Sequence, residues 1–218
     1  MIIVAAIAAP LAVLEAQKKT VVMMGDSLTV ESYWAAADYL GQGYTVQPAA
    51  IGGSGLLDTQ VDWVARAHQV IDDSNPSVVV AEFIGDYGLL GERPGVAAHS
   101  VAWYEQWAQV AQQMEDVLTS RGATVYWVIG PPVQDPANNQ AIVELDKIYA
   151  NLHVPNTASG HPPLINVTPL LTGGTGTYTQ DVPGPGGTPV EVRTPDGTHF
   201  TLYGIALFGK AVAEGILS

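Results

Sequence analysis

Four short stretches carry side chains whose types and spacing could do chemistry on an acyl group. In "TVVMMGDSLTVESY" an apolar run leads straight into Gly25-Asp26-Ser27-Leu28 and then a helical pattern, which puts Ser27 at a helix N-terminus. A serine there commonly caps the helix. The same place also suits a nucleophile whose own backbone N–H points at an incoming oxyanion. In "RTPDGTHFTLYG", Asp196 and His199 stand three residues apart in a turn before the last apolar segment. That spacing lets the carboxylate reach back to the imidazole Nδ1, fixing the tautomer and steadying the imidazolium that forms when Nε2 takes a proton. Taken alone the turn reads as a surface feature in which His199 caps or packs. With Ser27 present, a nucleophile, a base and an orienting acid all exist, and the reading reverses. The glycines of "AAIGGSGLLD" let a backbone N–H approach a ligand closely, and ordinary turn duty explains them equally well. In "VVVAEFIGDYG" an apolar run ends in Gly85-Asp86, an acid that an isolated Gly-Asp would use to open a turn.

Composition narrows the classes of function. The 218 residues, 47% hydrophobic and 13% charged, suffice for one sizeable core, so residues 19–218 are expected to form one domain. A formal charge of −13, from 21 acidic and 8 basic residues, offers no basic patch to a phosphate backbone and disfavours nucleic acid as a partner. With no cysteine there is no thiolate nucleophile and no disulfide. The histidines at 68, 99, 153, 161 and 199 have no metal-ligand spacing, so no metal is expected.

The elements that must position these residues alternate between apolar runs and helical patterns, which predicts a parallel sheet covered on both faces. Strands are expected over 20–24, 44–46, 77–84, 123–129 and 164–167, and helices over 31–40, 58–71, 100–121, 137–152 and 202–217. Five of each fit a flavodoxin-like three-layer α/β/α sandwich, in which ligands collect at the carboxyl ends of the strands. Between 172 and 196 the Gly, Thr and Pro content predicts a hairpin rather than a phosphate loop, because no Lys-Ser/Thr follows the glycines. Trp63, Trp103, Trp107 and Trp127 could form a platform for a sugar or acyl group, although Trp103 and Trp107 lie four apart and fit a core stripe. Residues 1–18 open with a nearly unbroken apolar run, 1–16, too short for a confident span. The run fits the apolar region of a signal peptide, a membrane-anchor remnant or a buried helix, and predicts export or membrane proximity in a secreted, periplasmic or cell-envelope setting.

In order and placement these segments resemble the GDSL or SGNH hydrolase family, from about residue 20 to the C-terminus. Gly25-Asp26-Ser27-Leu28 matches the family's first block, Gly52-Gly53-Ser54-Gly55 looks like its second, and Asp196-Gly197-Thr198-His199 looks like its last. The resemblance implies the SGNH hydrolase fold and a cofactor-free serine esterase or lipase. It makes Ser27 the nucleophile, His199 the base and Asp196 its orienting partner, with the N–H groups of Ser27 and Gly55 in the oxyanion hole. The family's third block supplies a further donor from an asparagine side chain, and the aligned residue is Asp86. A carboxylate only accepts hydrogen bonds. Three readings stand open: Asp86 protonated and donating, Tyr87 donating in its place, or a relative that has lost turnover. The leading expectation is hydrolysis of short-chain acyl or O-acetyl esters, including those of glycans, through an acyl-Ser27 intermediate. The alternatives are acyl transfer to a polysaccharide and non-catalytic glycan binding.

Overall fold

The computed structural model describes residues 18–155 and 158–218, and the apolar stretch 1–16 lies outside them. Five strands, β1 (Lys19–Gly25), β2 (Tyr44–Pro48), β3 (Val78–Glu82), β4 (Thr124–Ile129) and β5 (Leu164–Asn166), form a sheet in the order β2-β1-β3-β4-β5. All four pairings are parallel. The order reverses at β1 and β3, so the carboxyl ends of those two strands flank the switch point.

Both faces of the sheet are apolar because successive residues of a strand point opposite ways. On β1, Val22 and Met24 join the core beneath α2 (Trp63–Ser74) and α3 (Val101–Thr119), while Val21 and Met23 join the core beneath α1 (Ser27–Leu40) and α6 (Leu202–Leu217). The remaining helix of the sandwich, α4 (Pro136–Ala150), sends Leu145 and Tyr149 to the first core and Ile142 to the second. A single helical turn, α5 (Thr168–Leu171), follows β5. The expected hairpin is present as β6 (Asp181–Pro183) and β7 (Pro189–Glu191), paired antiparallel.

Two helix starts depart from the sequence expectation by several residues, and a cap decides each. The helix expected from 58 begins at Trp63, because the Asp62 side chain accepts from Ala65 N at 2.9 Å. The one expected from 31 begins at Ser27, capped by Asp26. Strand β3 stops at Glu82 rather than 84. The four tryptophans form no platform. Trp63 is 1% exposed and Trp103, Trp107 and Trp127 are fully buried. Their indole N–H groups are satisfied inside for three of them: Trp63 donates to Gly55 O at 3.1 Å, Trp107 to Tyr149 Oη at 3.0 Å and Trp127 to Glu115 Oε2 at 2.8 Å. Among the described residues no helix is long and apolar enough to cross a membrane.

Tyr149 Oη also donates to the Phe83 carbonyl at 2.8 Å, so one buried hydroxyl links α3, α4 and the end of β3. Tyr149→Phe removes that donor and leaves a carbonyl and an indole N–H without partners. Chemical denaturation is expected to show a loss of about 2–4 kcal/mol of unfolding free energy, since each unsatisfied buried group costs on the order of 1–3 kcal/mol.

Candidate active site

Asp26 follows β1 with extended backbone, and its carboxyl then does two jobs. One oxygen accepts from Leu28 N at 3.0 Å, starting α1, and the other accepts from Ile84 N at 2.9 Å, bending the chain out of β3. Ser27 is thereby the first residue of α1, at the carboxyl edge of the sheet beside the switch point.

The turn at 194–199 brings in the other two residues. Asp196 Oδ1 accepts from Thr198 N at 2.8 Å, His199 N at 2.9 Å and Thr194 Oγ1 at 2.8 Å, while Oδ2 meets His199 Nδ1 at 2.8 Å. Partial burial works against the charge on Asp196, yet the Thr198 N–H, the imidazole and backbone N–H of His199 and the Thr194 hydroxyl hold its carboxyl well below the usual carboxylate range. With Nδ1–H given to Asp196, Nε2 is the acceptor, and it lies 2.9 Å from Ser27 Oγ. Ser27, His199 and Asp196 thus form one continuous hydrogen-bonded chain from residues at opposite ends of the sequence.

Two further residues hold this turn in place. Arg193, 1% exposed, donates to Thr198 O at 2.5 Å and Pro132 O at 2.8 Å and lies over the Phe200 ring. From α1, Glu31 accepts from Phe200 N at 2.9 Å, and burial raises its carboxyl. A charged residue just before the "TPDGTH" turn was the available signal for Arg193, but the carbonyls it meets lie elsewhere in the chain.

The second-block glycines behave differently from the expectation. Gly55 N–H does not face Ser27 as an open donor, because Asp58 Oδ2 accepts it at 2.8 Å. Gly55 is required for packing instead: a Cβ there would stand 1.7 Å from the Asp86 carbonyl oxygen. The part of the loop that passes the serine is Gly52, where an added Cβ would lie 3.9 Å from Ser27 Cβ. Neither the Gly52 nor the Gly53 N–H is hydrogen-bonded among the described residues. Asp58 Oδ1 also accepts from Gly88 N at 2.9 Å, and Thr59 N and Gln60 N donate to Gly91 O and Leu90 O, so the loops after β2 and β3 are bonded to one another.

Asp86 follows the end of β3 in this second loop, and its half-buried carboxyl has no hydrogen-bond partner among the described residues. Burial raises it, the nearby His199 opposes that, and Asp58 adds to it. It lines a cavity of about 230 Å³ with Ile84, His99, Val133, Ile142 and Thr198. Tyr87 does not replace it as a donor into the site. Its hydroxyl donates to Val96 O at 3.0 Å and accepts from Arg93 N at 2.7 Å. Among the described residues no group of three or more histidines and carboxylates could hold a metal.

A family described as "Protein of unknown function (DUF459)" matches residues 20–215. The chain belongs to the DUF459 family. No curated protein matches its sequence. Solved structures do share the fold of this DUF459 member. TesA is 20% identical, with 91% of this chain and 98% of TesA covered at a TM-score of 0.58. The psychrotrophic esterase EstA from Pseudoalteromonas sp., in a structure inhibited by monoethylphosphonate, is 14% identical, with 92% and 97% covered at 0.58. A carbohydrate esterase family 3 protein from Talaromyces cellulolyticus is 11% identical, with 91% and 96% covered at 0.59. The DUF459 chain therefore has the SGNH hydrolase fold, with a five-stranded parallel sheet between helices.

Arg193→Met is expected to loosen the 194–199 turn by leaving the Thr198 and Pro132 carbonyls unpaired. Denaturant titration should read a loss of about 2–4 kcal/mol, at about 1–3 kcal/mol per orphaned carbonyl, and the His199 ring signals in NMR should shift.

Proposed function

We propose that this protein is a serine ester hydrolase that works through an acyl-Ser27 intermediate. The observation that carries the reading is the unbroken chain from Asp196 through His199 to Ser27 Oγ, with contacts of 2.8 and 2.9 Å. Ser27 Oγ attacks the ester carbonyl carbon as its proton passes to His199 Nε2, and Asp196 steadies the imidazolium. Collapse of the tetrahedral intermediate breaks the bond to the alcohol, which leaves with the proton from His199. Water, activated by the same imidazole, then attacks acyl-Ser27 and releases the acid. The Ser27 N–H at the start of α1 and the N–H groups of Gly52 and Gly53 are the backbone donors available to the developing oxyanion.

The 230 Å³ cavity lined by Asp86 and by Thr198, the residue before His199, favours a short acyl group, being below the volume of ordinary drug-sized ligand pockets. The likeness to esterases, one of them a carbohydrate esterase, supports O-acetyl or other short acyl esters of glycans as the substrate class. The apolar residues 1–16 support a site of action in the cell envelope or outside it. A second reading, a relative with weakened turnover, rests on Asp86 alone.

Two substitutions test these readings. Purified protein should release p-nitrophenol from acetyl and butyryl esters and take a fluorophosphonate label on Ser27. Ser27→Ala should lose the label and at least roughly a thousandfold in kcat; equal rates for both proteins would reject the esterase. Asp86→Asn should raise kcat/KM on one short ester, and increasingly so as pH rises. Loss of a hole donor costs on the order of 3 kcal/mol, about a hundredfold in rate, and an ionised Asp86 adds repulsion. The Asp86 carboxyl is raised, so the gain should be smallest in acid, where it is neutral and can donate, and largest above neutrality. A mutant no faster at any pH would place Asp86 outside the oxyanion hole.

A further inference from the structure

The buried acid Glu82 takes no part in the mechanism above, yet it is bonded to the residues on either side of the nucleophile, Asp26 and Thr29. It is the last residue of β3, 1% exposed, and is paired in register with Gly25 of β1. Its Oε2 accepts from Thr29 Oγ1 at 2.7 Å. Its Oε1, also buried, receives no hydrogen bond. A buried carboxylate with an unpartnered oxygen and no cation beside it is strongly disfavoured. The neighbouring acid is Asp26, whose N–H donates to Glu82 O at 3.3 Å and whose fully buried carboxyl acts on that of Glu82 and already accepts one backbone N–H on each oxygen.

We propose that Glu82 is a positioning residue: by sharing one proton with Asp26, it fastens the end of β3 to the Ser27 turn and sets where the Asp86 loop stands relative to the nucleophile. One proton between the two carboxyls gives Oε1 its partner whichever residue formally holds it, and leaves the pair with one negative charge instead of two. The surrounding contacts show what the pair fastens. Asp26 N donates to Glu82 O at 3.3 Å, Asp26 Oδ2 holds Ile84 N, and Glu82 holds Thr29 on the first turn of α1. Gly25 completes the joint, since a Cβ there would lie 2.3 Å from both Glu82 O and Thr29 Oγ1. The Ser27 turn and the start of the Asp86 loop are therefore held as one body.

The charge around the pair makes the fastening sensitive to pH. Asp86, in the loop after β3, repels both carboxyls. From α4, Tyr149 is held neutral by its burial, and Asp146, pushed up to about 7 by burial, adds no cation. Beyond Asp86 lie Asp58 of the loop after β2 and His199 of the turn before α6. Among the described residues no lysine or arginine is among the groups that act most strongly on either carboxyl. Burial raises both, Glu82 to about 7 from 4.5. Because the folded form holds the proton more tightly than the unfolded chain, the pair's contribution is fully present below the unfolded values and is lost as pH rises through the raised folded ones, about 7 for Glu82. Once the shared proton is lost, two buried anions repel across the joint that carries Ser27.

Glu82→Gln tests this, because the amide can donate to Asp26 and accept from Thr29 with no proton to lose. Thermal unfolding and the rate of Ser27 labelling by a fluorophosphonate are measured between about pH 5 and pH 9. The wild type should lose Tm as pH rises through neutrality, and its labelling rate should fall again on the alkaline side. Glu82→Gln should lose both declines, with labelling held at a plateau on the alkaline side. Asp86→Asn, which keeps the pair, should retain the alkaline fall in Tm. Superimposable Tm curves for wild type and Glu82→Gln would overturn the shared proton. A flattened Tm curve with an unchanged labelling profile would overturn the positioning role. The positioning role rests on Ser27 being the nucleophile, so a Ser27 that labels in neither protein overturns it together with the esterase reading, while the Tm curves still decide the pair. Should Glu82→Gln not fold, Thr29→Val removes the hydroxyl that favours ionised Glu82, and the alkaline fall in Tm should move to higher pH; an unmoved fall overturns the proposal.

Discussion

The carboxyl of Asp26 is the joint on which the site depends. Two adjacent strands, β1 and β3, end at the same edge of the sheet, and each must give way to a different structure: β1 to a helix carrying Ser27, β3 to a loop carrying Asp86. Both departures cost backbone hydrogen bonds, because a first helical turn and a strand end each leave N–H groups without partners. Asp26 answers one from each side, Leu28 N and Ile84 N, with the two oxygens of a single buried group. A serine, threonine or asparagine cap has one acceptor oxygen to offer in that place and could start the helix, but it would leave the other strand end untied.

The opposite wall of the site is built by different means. The 194–199 turn closes on itself through Asp196 and needs the rest of the protein only to put it in register with Ser27. That register comes from the packing of α6 on α1, from Phe200 and Phe208 in the core they share, and from the Glu31 and Arg193 contacts at the turn itself. The 2.9 Å contact between His199 and Ser27 is thus the meeting of two locally ordered pieces, brought together by apolar burial.

How much of this could be read beforehand follows from the range of the interactions. The element order and the spacing that brings Asp196 to His199 were legible because each is encoded locally, by apolar runs, helical period or a spacing of three. Helix starts were less so, since a cap competes with several nearby candidates, and Asp62 outdid Asp58. The second glycine block was legible as a place of close approach, but its sequence does not say which amide stays open. Asp58 claims that of Gly55, a bond visible only once the loop is folded. Glu82 stands inside the apolar run "VVVAEF" and was not singled out, because its meaning depends on Asp26 and Thr29, which are distant in sequence and adjacent only across the sheet. The aromatic residues were ambiguous for a related reason: a tryptophan at helical spacing looks the same to the sequence in a core as in a binding face, and burial decides.

The bonds of Asp58 to Gly55 and Gly88, with those from Thr59 and Gln60 to the 90–91 segment, have a consequence for anyone wishing to alter what this enzyme-like scaffold accepts. The loops after β2 and β3 share one carboxylate and one ladder of amides, and Gly55 leaves no room for any side chain against the Asp86 carbonyl. A graft that exchanges one loop for that of a relative would strand the amides of the other and bring two backbones into collision. The pair is a single cassette, and it has to be transplanted, lengthened or evolved as one.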